Sequence, residues 1–447
     1  MIKMFKVEVW ADHKVKGEVN GMNEMDIGRT THIFQGVLKA LALPSLSLHS
    51  LLVVLLPLLL LAGCREYEVP STYELVVTVS YPDEFDQGGP VAGAEVKVTN
   101  IQTGRVHLGV TGQDGKAVLT VRGGNYNIVV SLTEEREVEI EGYPVVKQVL
   151  FNGALNGQLV TATGTGCALE LGYSFENEGF VIKELYTSGS KTPEGKSYGA
   201  DKFIEIYNNS DKVLYSDGLC IGVVHSTTTY QPTPWVNPDG SLMDRIPLWS
   251  FVAIVPGSGT EHPIAPGTSF VVALSGLNHR DDPNGNPNSI DLSHAAWEFY
   301  VEDGMYVDVP GVPNILMQMI TKSTAMVFDV RGQVTILFRL PEGELEDIFT
   351  DPDHYMVQPG GTFRCFMVPW GWVIDGVENA RLDDRGVYKR LPSMIDIGYI
   401  QHRGTSEKVS IRRKILKTVD GRVVYKDTNN STEDFLTDQD PAPGVIK

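Results

Sequence analysis

Cysteine is scarce in this sequence, with four in 447 residues and no Cys-x-x-Cys spacing. That excludes a disulfide-dense scaffold and a thiolate zinc site of the usual spacing. Positive charge is also in deficit: 37 Lys and Arg stand against 56 Asp and Glu, for a formal net charge of −19. Nucleic acid is therefore not an expected partner, because affinity for it rests on Lys and Arg neutralising phosphates. The one basic stretch, Lys408 to Lys417 with Arg412, Arg413 and Lys414, reads as a solvated strand edge, where basic side chains also discourage aggregation. Long helical periods are rare, and no internal repeat of about 20 to 50 residues suggests a solenoid or propeller.

Catalytic constellations are missing too. His262, His279, His294, His354 and His402 are scattered, with no His-x-x-x-His pair and no Gly-x-Ser-x-Gly elbow. Gly189 to Ser197 (GSKTPEGKS) imitates a phosphate loop, but its first glycine stands one residue too early and a strand pattern follows. Glu184 and Glu205 could form an acid/base pair only if both lined one cleft with separated pKa values. A structural role is the better reading for them. The chain is read as a non-enzyme that needs no cofactor.

What is present favours strands. Gly (45) and Pro (25) are plentiful, and 42% hydrophobic residues suffice for a large core. Leu46 to Leu61 is an apolar run with Pro57 inside it, ending in Leu61-Ala62-Gly63-Cys64. It is too short for a stable span and reads as a signal peptide over residues 1–63, with Met22 or Met25 as the expected true start. The Leu-Ala-Gly-Cys ending resembles a bacterial lipobox, which implies cleavage before Cys64 and its lipidation. Arg65, Glu66, Tyr67 and Glu68 are loosely similar to a surface-export signal of Bacteroidota lipoproteins.

Past a tether at 64–72, Tyr73 to Ser80 alternates apolar and polar residues. Strand patterns recur up to Asn100 and at Val106 to Thr111, Ala117 to Val121 and Tyr126 to Leu132, with an Asp114-Gly115 turn between the second and third. The series Pro90-Val91-Ala92-Gly93-Ala94, Thr111-x-x-Asp114-Gly115 and Gly124-Asn125-Tyr126 resembles the carboxypeptidase-regulatory-like, transthyretin-like sandwich. The resemblance covers 73–172 and implies a stalk or spacer.

Further on, Phe180 to Tyr186 and Phe203 to Tyr207 alternate, and Val213 to Ile221 reads as a third strand. Lys183-Glu184-Leu185-Tyr186, the strand Asp201 to Asn208 and the closing Asp427 to Phe435 (DTNNSTEDF) resemble the lamin-tail domain, an immunoglobulin-like sandwich. That domain is expected over 175–436 with long insertions, and 437–447 is a C-terminal tail. The KELYTSGSKTPEGKSY opening is similar to uncharacterised Bacteroidota lipoproteins. The expected fold is thus all-β: two immunoglobulin-like or transthyretin-like sandwiches, the second with long insertions. Val334 to Arg339 and Thr362 to Val368 read as strands, and Asp420-Gly421 as a hairpin turn.

Two sets of site residues stand out. Asp282, Asn284, Asn286 and Asn288 place side-chain oxygens at alternate positions, as a loop around calcium requires, although an Asx- and Pro-rich turn explains them more simply. Trp235, Trp249, Trp297, Trp370 and Trp372 all fall in inserted segments; exposed, they would form an aromatic platform, and buried, insertion core. The expected function is binding by an outer-membrane lipoprotein, held to the membrane by its lipid and displayed on the cell surface. By analogy with such lipoproteins it aids nutrient capture beside a TonB-dependent transporter. The alternative is a structural adhesin holding glycan or protein.

Overall fold

Alternation sets the first sandwich. Along β1 (Thr72–Ser80), Leu75, Val77 and Val79 turn inward, and β2 (Glu95–Asn100) does the same with Val96 and Val98. The computed structural model describes residues 71–446 except 141–142, 176–178, 226–228, 230, 239, 282–284, 303, 305, 322–331, 342–344, 381 and 383–386. The expected signal peptide, Cys64 and nearly all of the expected tether lie outside the described residues, as do Asp282 and Asn284. Among the described residues no helix is long and apolar enough to cross a membrane.

Strands β3 (Val106–Val110), β4 (Lys116–Arg122), β5 (Gly124–Ile140), β6 (Tyr143–Val160), β7 (Thr165–Glu170) and β8 (Gly172–Phe175) complete this unit. One sheet has the order β4-β1-β7 and the other β3-β2-β5-β6-β8. Between them lies a core that includes Leu75, Val96, Tyr126, Ile128, Phe151 and Leu171. The long β5–β6 ribbon exceeds the expected strand because Glu134-Glu135-Arg136-Glu137 is too charged to read as half-buried. Cross-strand pairing holds it, aided by Arg136, which bridges Asp86 at 2.9 Å and Glu134 at 2.7 Å. Its two Asn-Gly pairs, ordinarily turn signals, lie within strand. Gly153 is needed because a Cβ there would stand 2.7 Å from Leu171. Asn156 and Gly157 together oppose Asn127 in a β-bulge, with Gly157 at φ +75.

The second unit is a larger sandwich. One sheet orders the strands 297–298, 269–273, 203–208, β9 (Phe180–Tyr186), 410–413 and 435–439. The other orders 355–357, 364–369, 245–254, 219–224, 335–339 and 373–377, with 316–319 also on 245–254. Ile182, Ile204, Ile206, Ile221, Phe251 and Leu337 pack between them. Insertions cover the outward faces. Ile290, Leu292 and Val312 lie on Tyr186 and Phe203, while Ile348, Phe349, Leu391 and Ile395 lie on the far side of the second sheet. This double coverage is why β9 and 203–208 are buried at every position. The chain is all-β in class, a pair of sandwiches with few helical turns.

Several local expectations are corrected. Val213 to Ile221 is two strands, 214–215 and 219–224, because Gly218 at φ +68 breaks the run beside Asp217. Met394 to Tyr399 is turn and irregular backbone, with the Asp396 carboxylate accepting the Gly398 N–H. Ser190–Lys191 pairs antiparallel with Ser197–Tyr198, so the phosphate-loop imitation is a hairpin. The Asp420-Gly421 turn is present, with φ of 50° and 82°, as a primed hairpin turn requires.

The largest correction concerns charge. Arg412 and Arg413 are buried, not a solvated edge. A bulge leaves Lys183 without an opposite residue while Glu184 faces Glu205, so consecutive charged side chains enter one layer. Lys183 lies 2.7 Å from Glu205 and Arg412 3.0 Å from Glu184. The C-terminal tail closes over them: Ala442 N–H donates to Glu184 at 3.1 Å and Lys183 donates to the Val445 carbonyl at 2.7 Å. Burial pushes the Glu205 carboxyl up and the Lys183 ammonium down, against their mutual attraction. Arg413 bonds Asp375 of the opposite sheet at 2.6 Å, Asp427 at 3.0 Å and the Ile182 carbonyl at 2.9 Å, and its guanidinium lies 4.5 Å over the Phe435 ring.

Removing one partner of a buried pair leaves the other charge uncompensated, at a cost of about 3–5 kcal/mol. Arg413→Met strands the carboxylates of Asp375 and Asp427 and removes the cation that Asp434 faces at 4.0 Å. Urea denaturation should show a loss of at least about 3 kcal/mol, and a loss below about 1 kcal/mol would mean that Arg413 does not clamp the two sheets.

Candidate functional site

The outer face of the first sandwich is polar by register. Glu95 pairs with Ser131, Lys97 with Val129 and Thr99 with Asn127, and directly paired residues project from the same side. That face forms the floor of a cleft whose other wall belongs to the second sandwich. The cleft has a 170 Å³ compartment lined by these residues with Val387, Lys389, Ile397, Tyr399, Asn430 and Glu433. A second compartment of 240 Å³, lined by Asn125, Tyr388 and Leu242 among others, shares Asn156 and Lys389 with the first.

The bulge aims the floor. Gly157 N–H donates to Asn127 Oδ1 at 3.1 Å, and Asn127 Nδ2 donates across the cleft to the Val387 carbonyl. Asn127 is thus a tether, reinforced by Asn429 to Ser174 at 2.7 Å.

Two buried carboxylates shape the opposite wall. Glu378 accepts the N–H groups of Arg390 and Leu391, each at 3.0 Å, and Arg390 Nε at 2.7 Å; Lys389 is 3.4 Å away. Burial pushes Glu378 upward, but Lys389 and Arg390 outweigh it and hold the carboxyl below its ordinary value. Asp396 accepts the N–H groups of Glu378 at 2.7 Å, Gly398 at 2.9 Å and Ser431 at 2.9 Å. Burial pushes the Asp396 carboxyl up to about 6. These acceptors gather 378, 389–398 and 431 into one wall. Gly398 makes that possible: a Cβ there would stand 2.2 Å from Asn430 Oδ1 and 2.6 Å from Thr432 N.

The closing motif DTNNSTEDF therefore does two jobs. Asp427 and Asp434 face Arg413, whereas Asn430, Thr432 and Glu433 line the cleft. The cleft's charged side chains are Glu95, Lys97, Lys389 and Glu433, two of each sign. With Lys389 held by Glu378 and by the Gly398 carbonyl, the cavity offers hydrogen bonds and a tyrosine ring more than net charge.

The five tryptophans form no single platform but fall into three separate clusters. Trp235 and Trp249 share a cluster with Cys365 and Met367. Trp235 Nε1 donates to His225 Nδ1 at 2.9 Å, and burial lowers the His225 pKa, which suits that acceptor role. Trp297 belongs to the main core, with His262 edge-on at 5.0 Å, and Trp370 and Trp372 are half-buried against the second sheet's far side. All five are buried or half-buried.

Of the alternating loop, Asn286 is fully buried and gives its amide N–H groups to Ser190 Oγ at 2.8 Å and the Lys191 carbonyl at 2.9 Å. Asn288 donates to the same carbonyl at 3.2 Å. Both are staples on the 190–198 hairpin. Asp217, Glu261 and His262 bring ligand atoms together, but the Asp217 carboxylate already accepts the N–H groups of Gly259, Glu261 and His262. Glu184 and Glu205 reach no solvent. The three remaining cysteines are free, Cys220 and Cys365 in the core.

An all-β protein of paired sandwiches, with a hydrogen-bonding cleft at their junction, is the class so defined. Residues 265–442 match the family described as "Protein of unknown function (DUF4876)", a stretch that begins inside the second sandwich. The crystal structure of a DUF4876 family protein from Bacteroides thetaiotaomicron VPI-5482 is similar, with 25% identity, a TM-score of 0.51, and coverage of 83% of this chain and 96% of that one. A second structure, a candidate adhesin from Bacteroides ovatus ATCC 8483, aligns over 68% of this chain and 86% of its own at 10% identity; its TM-score of 0.18 carries no argument. No curated protein matches the chain.

Two variants test the wall. Gly398→Ala forces backbone against backbone, and overpacking of that kind costs about 1–3 kcal/mol; thermal unfolding should show it, and an unshifted Tm would mean the loop relaxes freely. For Glu378, whose folded pKa lies below its unfolded value, the contribution is present above the unfolded pKa of about 4.3 and is lost as pH falls through the folded value. The stability gap between the wild type and Glu378→Gln, read from urea midpoints, should be wide at neutral pH and narrow on acidification below about pH 4. A gap that widens there contradicts the assignment.

Proposed function

We propose that this chain is a lipid-anchored binding protein of the outer membrane, with its ligand seated in the cleft between the two sandwiches. The observation that carries the proposal is the cleft itself: one hydrogen-bonding cavity built from strands of the first unit and loops of the second, held open by Asn127, Glu378 and Asp396. Binding clefts tend to form where two units meet, and they fix a ligand with a few convergent polar groups. Binding rather than turnover is favoured because the facing carboxylates Glu184 and Glu205 are committed to ion pairs below the surface. The lipobox-like ending at Cys64 and the resemblance to Bacteroidota lipoproteins support an outer-membrane anchor. Capture of a nutrient for a TonB-dependent transporter is the use we assign, by analogy with lipoproteins of that kind.

Protease shaving of intact cells, coupled to cross-linking and mass spectrometry, tests this. The expected outcome is release of the chain by protease together with cross-links from the cleft rim to an outer-membrane barrel. Protection from protease, with no barrel among the cross-linked neighbours, would contradict the capture role.

A further inference from the structure

The sheet that floors the cleft continues past it. Register sets Val106 against Thr99, Leu108 against Lys97 and Val110 against Glu95. The polar β2 residues of the cleft thus stand one strand spacing, about 4.8 Å, from three aliphatic side chains on the same face. Those side chains are open to solvent: Val106 is 44% exposed, Leu108 66% and Val110 63%. Gly109 faces inward, where Leu119 would stand 3.3 Å from a Cβ, so strand β3 is seated firmly and its outward row is fixed. Edge strands are ordinarily guarded by charge or proline, yet this row is Val, Leu, Val. It runs about 13 Å at about 3.3 Å per residue. On the cleft side the apolar lining resumes with Val129, Val387 and Ile397.

We infer that the ligand is amphiphilic: a neutral, hydroxyl-rich head, of the sugar class, sits in the cleft, and an aliphatic chain lies along Val106, Leu108 and Val110. This rests on the cleft being the binding site. An anionic head is disfavoured, because Lys389 is already paired with Glu378 and only Lys97 is left against Glu95 and Glu433; a neutral head suits the remaining lining of amides and hydroxyls. The amide and hydroxyl groups of Asn125, Asn156, Thr99 and Ser131 can both donate to and accept from ligand hydroxyls. The tail is assigned to the stripe because stripe and floor are one continuous face. A second copy of the chain fits less well, since a stable dimer needs about 800 Å² per partner and three side chains fall far short. A protein partner would want aromatic or arginine anchors, and the row holds none.

Calorimetric titration of the purified chain with alkyl glucosides, galactosides and maltosides of one to eight carbons, below their micellar concentrations, tests the inference. For the head that binds, affinity should rise on the order of twofold per methylene, about half of what full burial of each methylene would give. The Leu108→Ser, Val110→Ser double variant should lose that rise. Affinity independent of chain length, or a rise that survives the double variant, overturns the amphiphile while leaving the cleft reading intact. Failure of every head at every length overturns both. Concentration-dependent dimerisation abolished by the double variant would assign the stripe to a second copy and overturn the inference.

Discussion

The Arg413 guanidinium is the interaction on which the second sandwich depends. It starts from a strand of one sheet and reaches Asp375 in the other at 2.6 Å, while Asp427 and the carbonyls of Ile182 and Lys426 take other donors. The Asp375 carboxylate also accepts the Ile182 N–H at 2.6 Å, so one ion pair closes the gap between sheets and fixes β9. Buried pairs of this kind are weak contributors to net stability, but once built they tolerate no half-removal. The surrounding charged layer, Lys183, Glu184, Glu205 and Arg412, follows the same rule beneath the C-terminal tail.

The cleft inherits its geometry from that core. Asp427 and Asp434 hold Arg413, and within the same nine-residue stretch Asn430, Thr432 and Glu433 form cleft wall. Glu378 follows directly on the 373–377 strand that supplies Asp375, and it gathers Arg390 and Leu391 behind the wall. Asp396 then binds Gly398 and Ser431. The wall is thus a set of loops anchored by buried acceptors, which explains how irregular backbone forms a defined surface at all.

Much of the fold was legible in the sequence. β1, β2 and the strands at 203–208 and 269–273 follow from alternation or apolar runs, and Asp420-Gly421 from turn chemistry. The β5–β6 ribbon was not, because Glu134 to Glu137 hides the alternation and because Asn156-Gly157 signals a turn where the chain makes a bulge. The charge of Arg412 and Arg413 pointed outward, and only their partners, remote in sequence, explain their burial. The cleft had one local signal, the alternating polar row Glu95, Lys97, Thr99. Its other wall comes from residues about 260 to 340 positions later, a juxtaposition no local pattern encodes. Tryptophan content drew attention to the insertions, where burial rather than display is what the large rings contribute.

One detail of the first sandwich remains instructive. β1 and β7 run parallel, with Leu75 beside Thr165 and Ser80 beside Glu170, so the chain enters this unit at one end and leaves it at the other. Antiparallel neighbours would return the exit to the entrance. Tension applied between Thr72 and Glu170 would therefore act lengthwise along the β1–β7 ladder, whose evenly spaced bonds share the strain instead of opening one after another. In mechanical terms the unit is a strut that resists shear, a property a single-molecule pulling experiment reads directly as rupture force.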